Sequence, residues 1–187
     1  MADTSKNRFL IKTSENELLN QYWYSAATIE ALVQEILSSA SRVAFLSTPS
    51  VYFSLPKDSE VKKSSWVFDF DEQWRTDPHF CKYDFNKPED LPGNLLNDFD
   101  MVVIDPPFIT REVWEKYTKA AKLLLKNEGK VIASTVAEND GLLSELLGSK
   151  PCNFKPSIPH LIYQYNFFTN YKPTALAEKN PEIPEDD

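Results

Sequence analysis

The chain has 187 residues, of which 42% are hydrophobic, so it can bury one sizeable core and we expect a single domain. Its formal net charge of −8 opposes binding to a nucleic-acid backbone and favours a basic partner or a small substrate. Two well-separated cysteines, two histidines, no apolar run of membrane-spanning length and no spare apolar stripe predict a cytoplasmic monomer without a metal site or membrane contact.

The first predicted element is an amphipathic helix near the amino terminus. Residues 1–14 are polar, and we expect them to be flexible. Over 15–39 apolar residues recur at the spacing of one helix face, with a break near Ser25. Successive side chains on a helix project about 100° apart, so Tyr22-Trp23-Tyr24 cannot all face one core. At least one of these rings can cover a ligand or lie over a cation, and core packing is the alternative.

A buried strand follows this helix and ends in a turn that contains no glycine. Residues 42–47 (RVAFLS) form the strand, and Thr48, Pro49 and Ser50 come directly after it. Small hydroxyl residues let a backbone approach a ligand closely, and the side chains of Ser47, Thr48 and Ser50 can hydrogen-bond a ligand carboxylate. An ordinary Ser/Thr-Pro turn is the alternative interpretation.

The second predicted strand, residues 65–70 (SWVFDF), ends among carboxylates. Asp69 and Asp71 share a face of this strand because side chains alternate along it. A carboxylate at this point can accept hydrogen bonds from both ribose hydroxyls of a nucleoside. Either acid can serve, and Asp69 is slightly favoured; a solvated strand end is the alternative.

A short third strand over 80–83 is followed by Asp84 and Phe85. An acid at this position can hold an adenine amino group, and an aromatic ring can stack on the adenine. A turn or helix-capping role for Asp84 is the alternative.

Asp105-Pro106-Pro107-Phe108 is the most informative stretch of the chain, and it follows the apolar strand 100–104 directly. Two prolines cannot continue a sheet ladder, so the strand must end at Asp105 in a stiff turn. In an open α/β sheet this carboxyl edge is where ligands bind. The loop offers a carboxylate, backbone carbonyls and an aromatic face, which together suit an amino nitrogen that attacks an electrophile. We therefore predict Asp105, Pro106, Pro107 and Phe108 as catalytic, with Asp105 also near the cofactor and Phe108 near the substrate.

The rest of the chain alternates helices and strands, which predicts a mostly parallel sheet. Gly148 is expected to end the helix predicted over 139–147. Residues 173–187, rich in proline and acids, are expected to form a disordered tail that follows a folded domain over 15–172. The remaining predicted elements are a helix over 111–126, a strand over 130–136, a helix over 139–147 and an antiparallel pair formed by 153–158 and 163–168.

Five segments, in this order, resemble the translation elongation factor 1-alpha lysine methyltransferase family, whose members were once labelled amino-adenine DNA methyltransferases. Where that family has an Arg-Phe pair after the second strand, this chain has Gln73-Trp74-Arg75. The similarity extends over roughly residues 18–171 and rests on Gln21-Tyr22-Trp23-Tyr24-Ser25, Thr48-Pro49-Ser50-Val51-Tyr52, Asp69-Phe70-Asp71, residues 82–88 and residues 100–108.

The resemblance implies a class I methyltransferase fold: Rossmann-like α/β, with a mostly parallel seven-stranded sheet, a closing antiparallel hairpin and a preceding amino-terminal helix. It implies S-adenosylmethionine as the cofactor and elongation factor 1-alpha, a basic protein, as the substrate that receives a methyl group on a lysine. The cofactor would be held by the Ser47–Ser50 turn, Asp69 or Asp71, Asp84, Phe85 and Asp105, and the substrate by Tyr22, Trp23, Tyr24 and Phe108.

Two alternatives remain open from the sequence. An amino-adenine methyltransferase acting on nucleic acid would use the same loop, with Phe108 stacking on a flipped base. The net charge of −8 and the lack of a lysine- and arginine-rich stripe oppose this alternative. A catalytically silent fold that acts as a binding partner is supported only by the glycine-free first turn.

Overall fold

The computed structural model describes residues 6–184, in which seven strands form one mixed sheet. Each of the first four strands begins and ends within two residues of its predicted bounds. The strands are β1 Val43–Leu46, β2 Trp66–Asp69, β3 Phe80–Lys82, β4 Phe99–Ile104, β5 Leu125–Val136, β6 Lys150–Pro151 and β7 Tyr165–Thr169.

The sheet order is β3-β2-β1-β4-β5-β7-β6. Neighbours from β3 to β5 are parallel, and β7 is antiparallel to both β5 and β6. Leu46 lies in register with Phe68 of β2 and with Ile104 of β4, so these three strands end at one level. The topology confirms the predicted class I methyltransferase fold, and it brings the residues after β1, β2 and β4 to one edge of the sheet.

The three central strands β1, β2 and β4 are almost wholly buried, as expected for parallel strands that are covered by helices on both faces of the sheet. Gly148 ends the last helix with φ 64°, in the left-handed conformation that glycine favours, as predicted. Of the helices in the described part of the chain, none combines the length and apolar character needed to cross a lipid bilayer. The helices are α1 Arg8–Lys12, α2 Ala26–Ser39, α3 Pro49–Tyr52, α4 Glu60–Ser64, α5 Arg111–Leu124 and α6 Asp140–Leu147.

The amino-terminal region differs from the prediction. Within 6–14, the short helix α1 is anchored by Phe9, which is buried against the rings of Trp23, Phe53 and Trp74, so this part is held in place. Residues 1–5 lie outside the described residues. The helix predicted over 15–39 begins only at Ala26, because the Ser25 side chain accepts the Thr28 N–H and caps it there.

Both predictions at the carboxyl terminus also need correction. No strand forms over 153–158, because Ser157 instead hydrogen-bonds Ser25 and Thr28 at the start of α2, so β7 pairs with β6 and β5. The part of the tail that the structure describes, 173–184, is packed: Leu176 is buried and its N–H is bound by the Glu35 carboxylate of α2.

Candidate active site

A cavity of about 310 Å³ opens at the edge where β1, β2 and β4 end. This volume lies in the range of small-molecule sites, and the position is the ligand-binding edge of an open α/β sheet. Its walls come from the loops that follow the first four strands, from 158–165, and from residues 15–23, here called the strap. Every predicted site residue except Tyr24 lines this cavity.

The cavity has a strongly one-sided charge. Four carboxylates line it, from Asp69, Asp71, Asp84 and Asp105, and the described lining residues include no lysine, arginine or histidine. Carboxylates without cations favour a positively charged occupant and repel phosphate. Within 6–184, no group of three or more His, Cys, Asp or Glu side chains is arranged to hold a metal ion.

Asp105 lies directly after β4 and contacts a chain of hydroxyl groups. The Ser134 hydroxyl donates to Asp105 Oδ1 over 2.9 Å, and Tyr24 hydrogen-bonds Ser134 over 2.6 Å. Burial raises the pKa of Asp105 to about 7, although hydrogen bonds from Ser134 and Tyr24 oppose the shift. Asp105 therefore changes charge near neutral pH, which suits a group that accepts a proton during a reaction.

Tyr24 has a different role from the one predicted. Its side chain is buried and does not line the cavity, because its hydroxyl is directed to Ser134 beneath Asp105. Burial raises the pKa of Tyr24 well above its ordinary value, so it remains a hydrogen-bond donor. Sequence reasoning missed Ser134, whose only signal is a hydroxyl residue within the apolar strand predicted over 130–136.

The turn after β1 contains a serine in a backbone conformation that glycine favours. Ser47 has φ 58°, in the left-handed region, and its hydroxyl hydrogen-bonds Tyr117 over 2.7 Å. The Thr48 hydroxyl donates to the Val103 carbonyl over 3.3 Å, and α3 begins at Pro49. Since the hydroxyls of Ser47 and Thr48 already have protein partners, the turn offers a ligand its backbone and Ser50, which also lines the cavity.

Asp69 and Asp71 both line the cavity but have different surroundings. Asp69 is buried at the end of β2 and accepts the N–H groups of Phe70 and Asp71. Burial raises the pKa of Asp69 to about 7. Both oxygens of Asp71 accept hydrogen bonds from Gln73, and one also accepts from Gln21 of the strap. Asp69 thus forms hydrogen bonds within its own loop, whereas Asp71 connects two loops.

Asp84 and Phe85 stand side by side on the same wall. Asp84 accepts the Asn86 N–H over 2.9 Å, so the turn role that the sequence left open is present, and its carboxylate also lines the cavity. The Phe85 ring stacks on Tyr117 at 5.9 Å and meets Phe108 edge-on at 6.3 Å. These rings form an apolar wall suited to a flat heterocycle.

The strap crosses the cavity from the β2 loop to the β4 loop. The Asn20 side-chain amide donates to the Pro107 carbonyl, and Gln21 Nε2 donates to Asp71 Oδ2 over 2.8 Å. Tyr22 and Trp23 both line the cavity, and Trp23 also packs on Trp74 at 6.4 Å. Asn20 was not predicted, because a single asparagine in a helix-like pattern carries no local sign of a partner 87 residues away.

Comparisons with known proteins agree with this geometry. A solved structure of 1,6-didemethyltoxoflavin-N1-methyltransferase from Burkholderia thailandensis, with bound S-adenosylhomocysteine, matches with a TM-score of 0.52 and 14% identity over 77% of each chain. At this identity the likeness concerns the fold alone, and it is a methyltransferase fold.

Sequence relatives are much closer. EEF1A lysine methyltransferase 1 of Homo sapiens is 34% identical over 163 residues, 84% of this chain and 75% of that protein. The Danio rerio protein of the same name is 34% identical over 168 residues, 85% of this chain and all of that protein. A family model described as "Probable N6-adenine methyltransferase" matches residues 15–173. The EEF1A lysine methyltransferase 1 proteins are thus relatives of this chain by sequence, and the chain belongs to the family that this model describes.

Proposed function

We propose that this protein is an S-adenosylmethionine-dependent protein-lysine N-methyltransferase whose substrate is translation elongation factor 1-alpha. One observation carries the proposal beyond the family relationship: four carboxylates and no cationic side chain line the described cavity. Both participants in lysine methylation, a sulfonium and a lysine amine, bring positive charge, whereas a nucleic acid brings phosphates. The net charge of −8 favours a basic protein for the same reason.

The residues present fit this cofactor. Asp69, with its raised pKa, is placed to accept hydrogen bonds from ribose hydroxyls, and Asp84 with Phe85 offers an acceptor beside a flat apolar wall for adenine. The Ser47–Ser50 turn lines the cavity, and its backbone would bind the amino-acid end of the cofactor. When bound, S-adenosylmethionine supplies the methyl group on a positively charged sulfur.

The catalytic loop prepares the lysine amine. An ammonium group has no lone pair, so the lysine must lose a proton before it can attack, and burial beside positive charge lowers its pKa. Asp105 accepts hydrogen bonds from the amine and takes up this proton. The Pro107 carbonyl already accepts the Asn20 amide, so the Pro106 carbonyl is the one that orients the amine. Phe108, half-exposed at the cavity mouth, flanks the lysine stem.

We also infer a cytoplasmic location and a monomeric state. Cys81 and Cys152 are both free thiols, which is typical of a reducing compartment.

The proposal is tested by radiolabelled methyl transfer to native cell extract, one half treated with nuclease and the other with protease. We expect a labelled protein band of the size of elongation factor 1-alpha that survives nuclease and disappears with protease. Lysine-to-arginine substitutions in the factor then identify the modified position. Label that survives protease and is lost with nuclease would contradict the proposal and favour amino-adenine chemistry.

The role of Asp69 gives a second expected result. Asp69→Asn should weaken binding of S-adenosylhomocysteine at pH 8 by at least about 10-fold, because hydrogen bonds to a charged acceptor are worth about 1.5–3 kcal/mol. Since the pKa of Asp69 is about 7, wild-type affinity should increase as the pH rises from 6 to 8, and the variant should show a smaller increase, due to Asp105, whose pKa is also about 7. Calorimetry measures both effects. If Asp71→Asn weakens binding more than Asp69→Asn does, the ribose assignment moves to Asp71.

A further inference from the structure

Three segments that line the cavity also carry exposed apolar side chains. Leu18 of the strap is 94% exposed, Ile162 is 93% exposed and Tyr163 is 65% exposed. Phe108 of the catalytic loop is 52% exposed. Large apolar side chains that are this exposed, on segments that line one cavity, are typical of an interaction surface.

Polar contacts connect the segments that carry these side chains. Leu18 and Leu161 both line the cavity, and Ile162 follows Leu161 directly. The strap is joined to the 158–165 loop by the contact between Glu15 and His160, and to the catalytic loop by Asn20 and Pro107. The three segments are therefore connected to one another beside the cavity.

We propose that Leu18, Ile162 and Tyr163, here called the docking rim, bind apolar side chains next to the target lysine of the protein substrate. This inference rests on the proposed function. A lysine side chain is only a four-carbon stem, so the polypeptide that carries a lysine into the cavity must lie on the mouth. The occupant is thus a basic protein segment with apolar residues beside the lysine.

The cavity and the docking rim would contribute differently to substrate binding. The carboxylates of the cavity attract a positively charged segment, while apolar contacts at the docking rim supply affinity in proportion to the area removed from water. A nucleic acid would find no cationic side chain among the described lining residues, and its phosphates would gain nothing from Leu18 or Ile162.

The test compares Ile162→Ser and Ile162→Ser/Tyr163→Ser with Ile11→Ser, a matched control. Ile11 is 62% exposed on α1, and neither it nor its chain neighbours Leu10 and Lys12 line the cavity, whereas Leu161 next to Ile162 does. For methylation of full-length elongation factor 1-alpha, we expect the double variant to raise KM at least about 10-fold, because burial of one large apolar side chain is worth about 1.5–3 kcal/mol. The value of kcat and the affinity for S-adenosylhomocysteine should stay within twofold of wild type, and the control should match wild type in KM.

The outcomes separate this inference from the proposed function. If wild type methylates the factor and the double variant has an unchanged KM, or one no different from that of Ile11→Ser, the docking rim is overturned and the proposed function stands. The rim is likewise overturned if sedimentation shows a wild-type dimer that the double variant breaks without any change in KM. If wild type transfers no methyl group to the factor, the proposed function fails and the docking rim fails with it.

Discussion

Asp105→Asn should lower the rate of methyl transfer at least about 100-fold when cofactor and protein substrate are saturating, the range expected for loss of a proton acceptor. Asparagine has the same shape, and its amide oxygen can still accept the Ser134 hydroxyl, so the loop should keep its conformation. The change removes the group that takes up the lysine proton. Single-turnover kinetics measure the rate, and calorimetry with S-adenosylhomocysteine confirms that the cofactor site remains functional.

Because the pKa of Asp105 is raised, Asp105→Asn should also change how the stability of the protein depends on pH. The folded-state pKa of about 7 lies above the ordinary value of 3.8, so the folded protein holds this proton more tightly than the unfolded chain. Wild-type stability therefore falls as the pH rises from about 4 to 7, because the buried carboxyl must ionise. Asp105→Asn does not ionise, so its Tm should exceed that of wild type at pH 8 and approach it at pH 4.

Asp58→Asn, which changes an exposed carboxylate, is the matched control and should follow wild type in both rate and Tm. The wild-type rate should also increase with pH through about 7, as Asp105 loses its proton. An Asp105→Asn enzyme with more than about a tenth of wild-type turnover would show that another group accepts the lysine proton.

Glu35→Ala should produce the largest loss of stability. This carboxylate is fully buried in α2 and accepts the backbone N–H groups of Thr174 at 2.9 Å and Leu176 at 3.0 Å. It also accepts the hydroxyls of Ser39 at 2.7 Å and Tyr171 at 3.1 Å. Alanine leaves several buried donors without an acceptor, at about 1–3 kcal/mol each, so we expect the free energy of unfolding to fall by about 3 kcal/mol.

Chemical denaturation measures this loss, and limited proteolysis should show new cleavage after residue 170, where the carboxyl-terminal segment separates from α2. Glu30→Ala removes an exposed carboxylate from the same helix and should change stability by less than about 0.5 kcal/mol. If Glu35→Ala were as stable and protease-resistant as Glu30→Ala, Glu35 would not be what holds the segment in place.

Local pattern was sufficient for the first four strands and for most residues of the cavity, but not for the antiparallel end of the sheet. The strands β1, β2 and β4 are short apolar runs followed by a turn or an acid, and the rule that ligands bind at carboxyl edges then places Ser47, Asp69 and Asp105 together. The course of the strap and of the tail could not be predicted in this way. The Asn20 amide donates to the Pro107 carbonyl, and the Glu35 carboxylate accepts the N–H of Thr174, 139 residues away, so both segments are fixed by long-range hydrogen bonds between a polar side chain and the backbone.

The difference between local pattern and long-range contacts also explains why the prediction that Tyr24 contacts the substrate was wrong. Helical spacing predicted its ring on a helix, but Ser25 caps α2 one residue later, so Tyr24 lies in the extended segment before the helix. From there its hydroxyl reaches Ser134, a partner 110 residues away. A local pattern shows that an aromatic residue is available for contact, and only the tertiary structure decides what it contacts.

The strap also has a consequence for the order of events in turnover. It lies across the cavity, is bonded to Asp71 and Pro107, and carries Leu18 of the docking rim. A protein bound to Leu18 would contact the same segment that bridges the loops after β2 and β4. If that contact also hinders exchange of the spent cofactor, each added methyl group requires a separate encounter, and a time course of methylation should show the singly methylated lysine accumulating first.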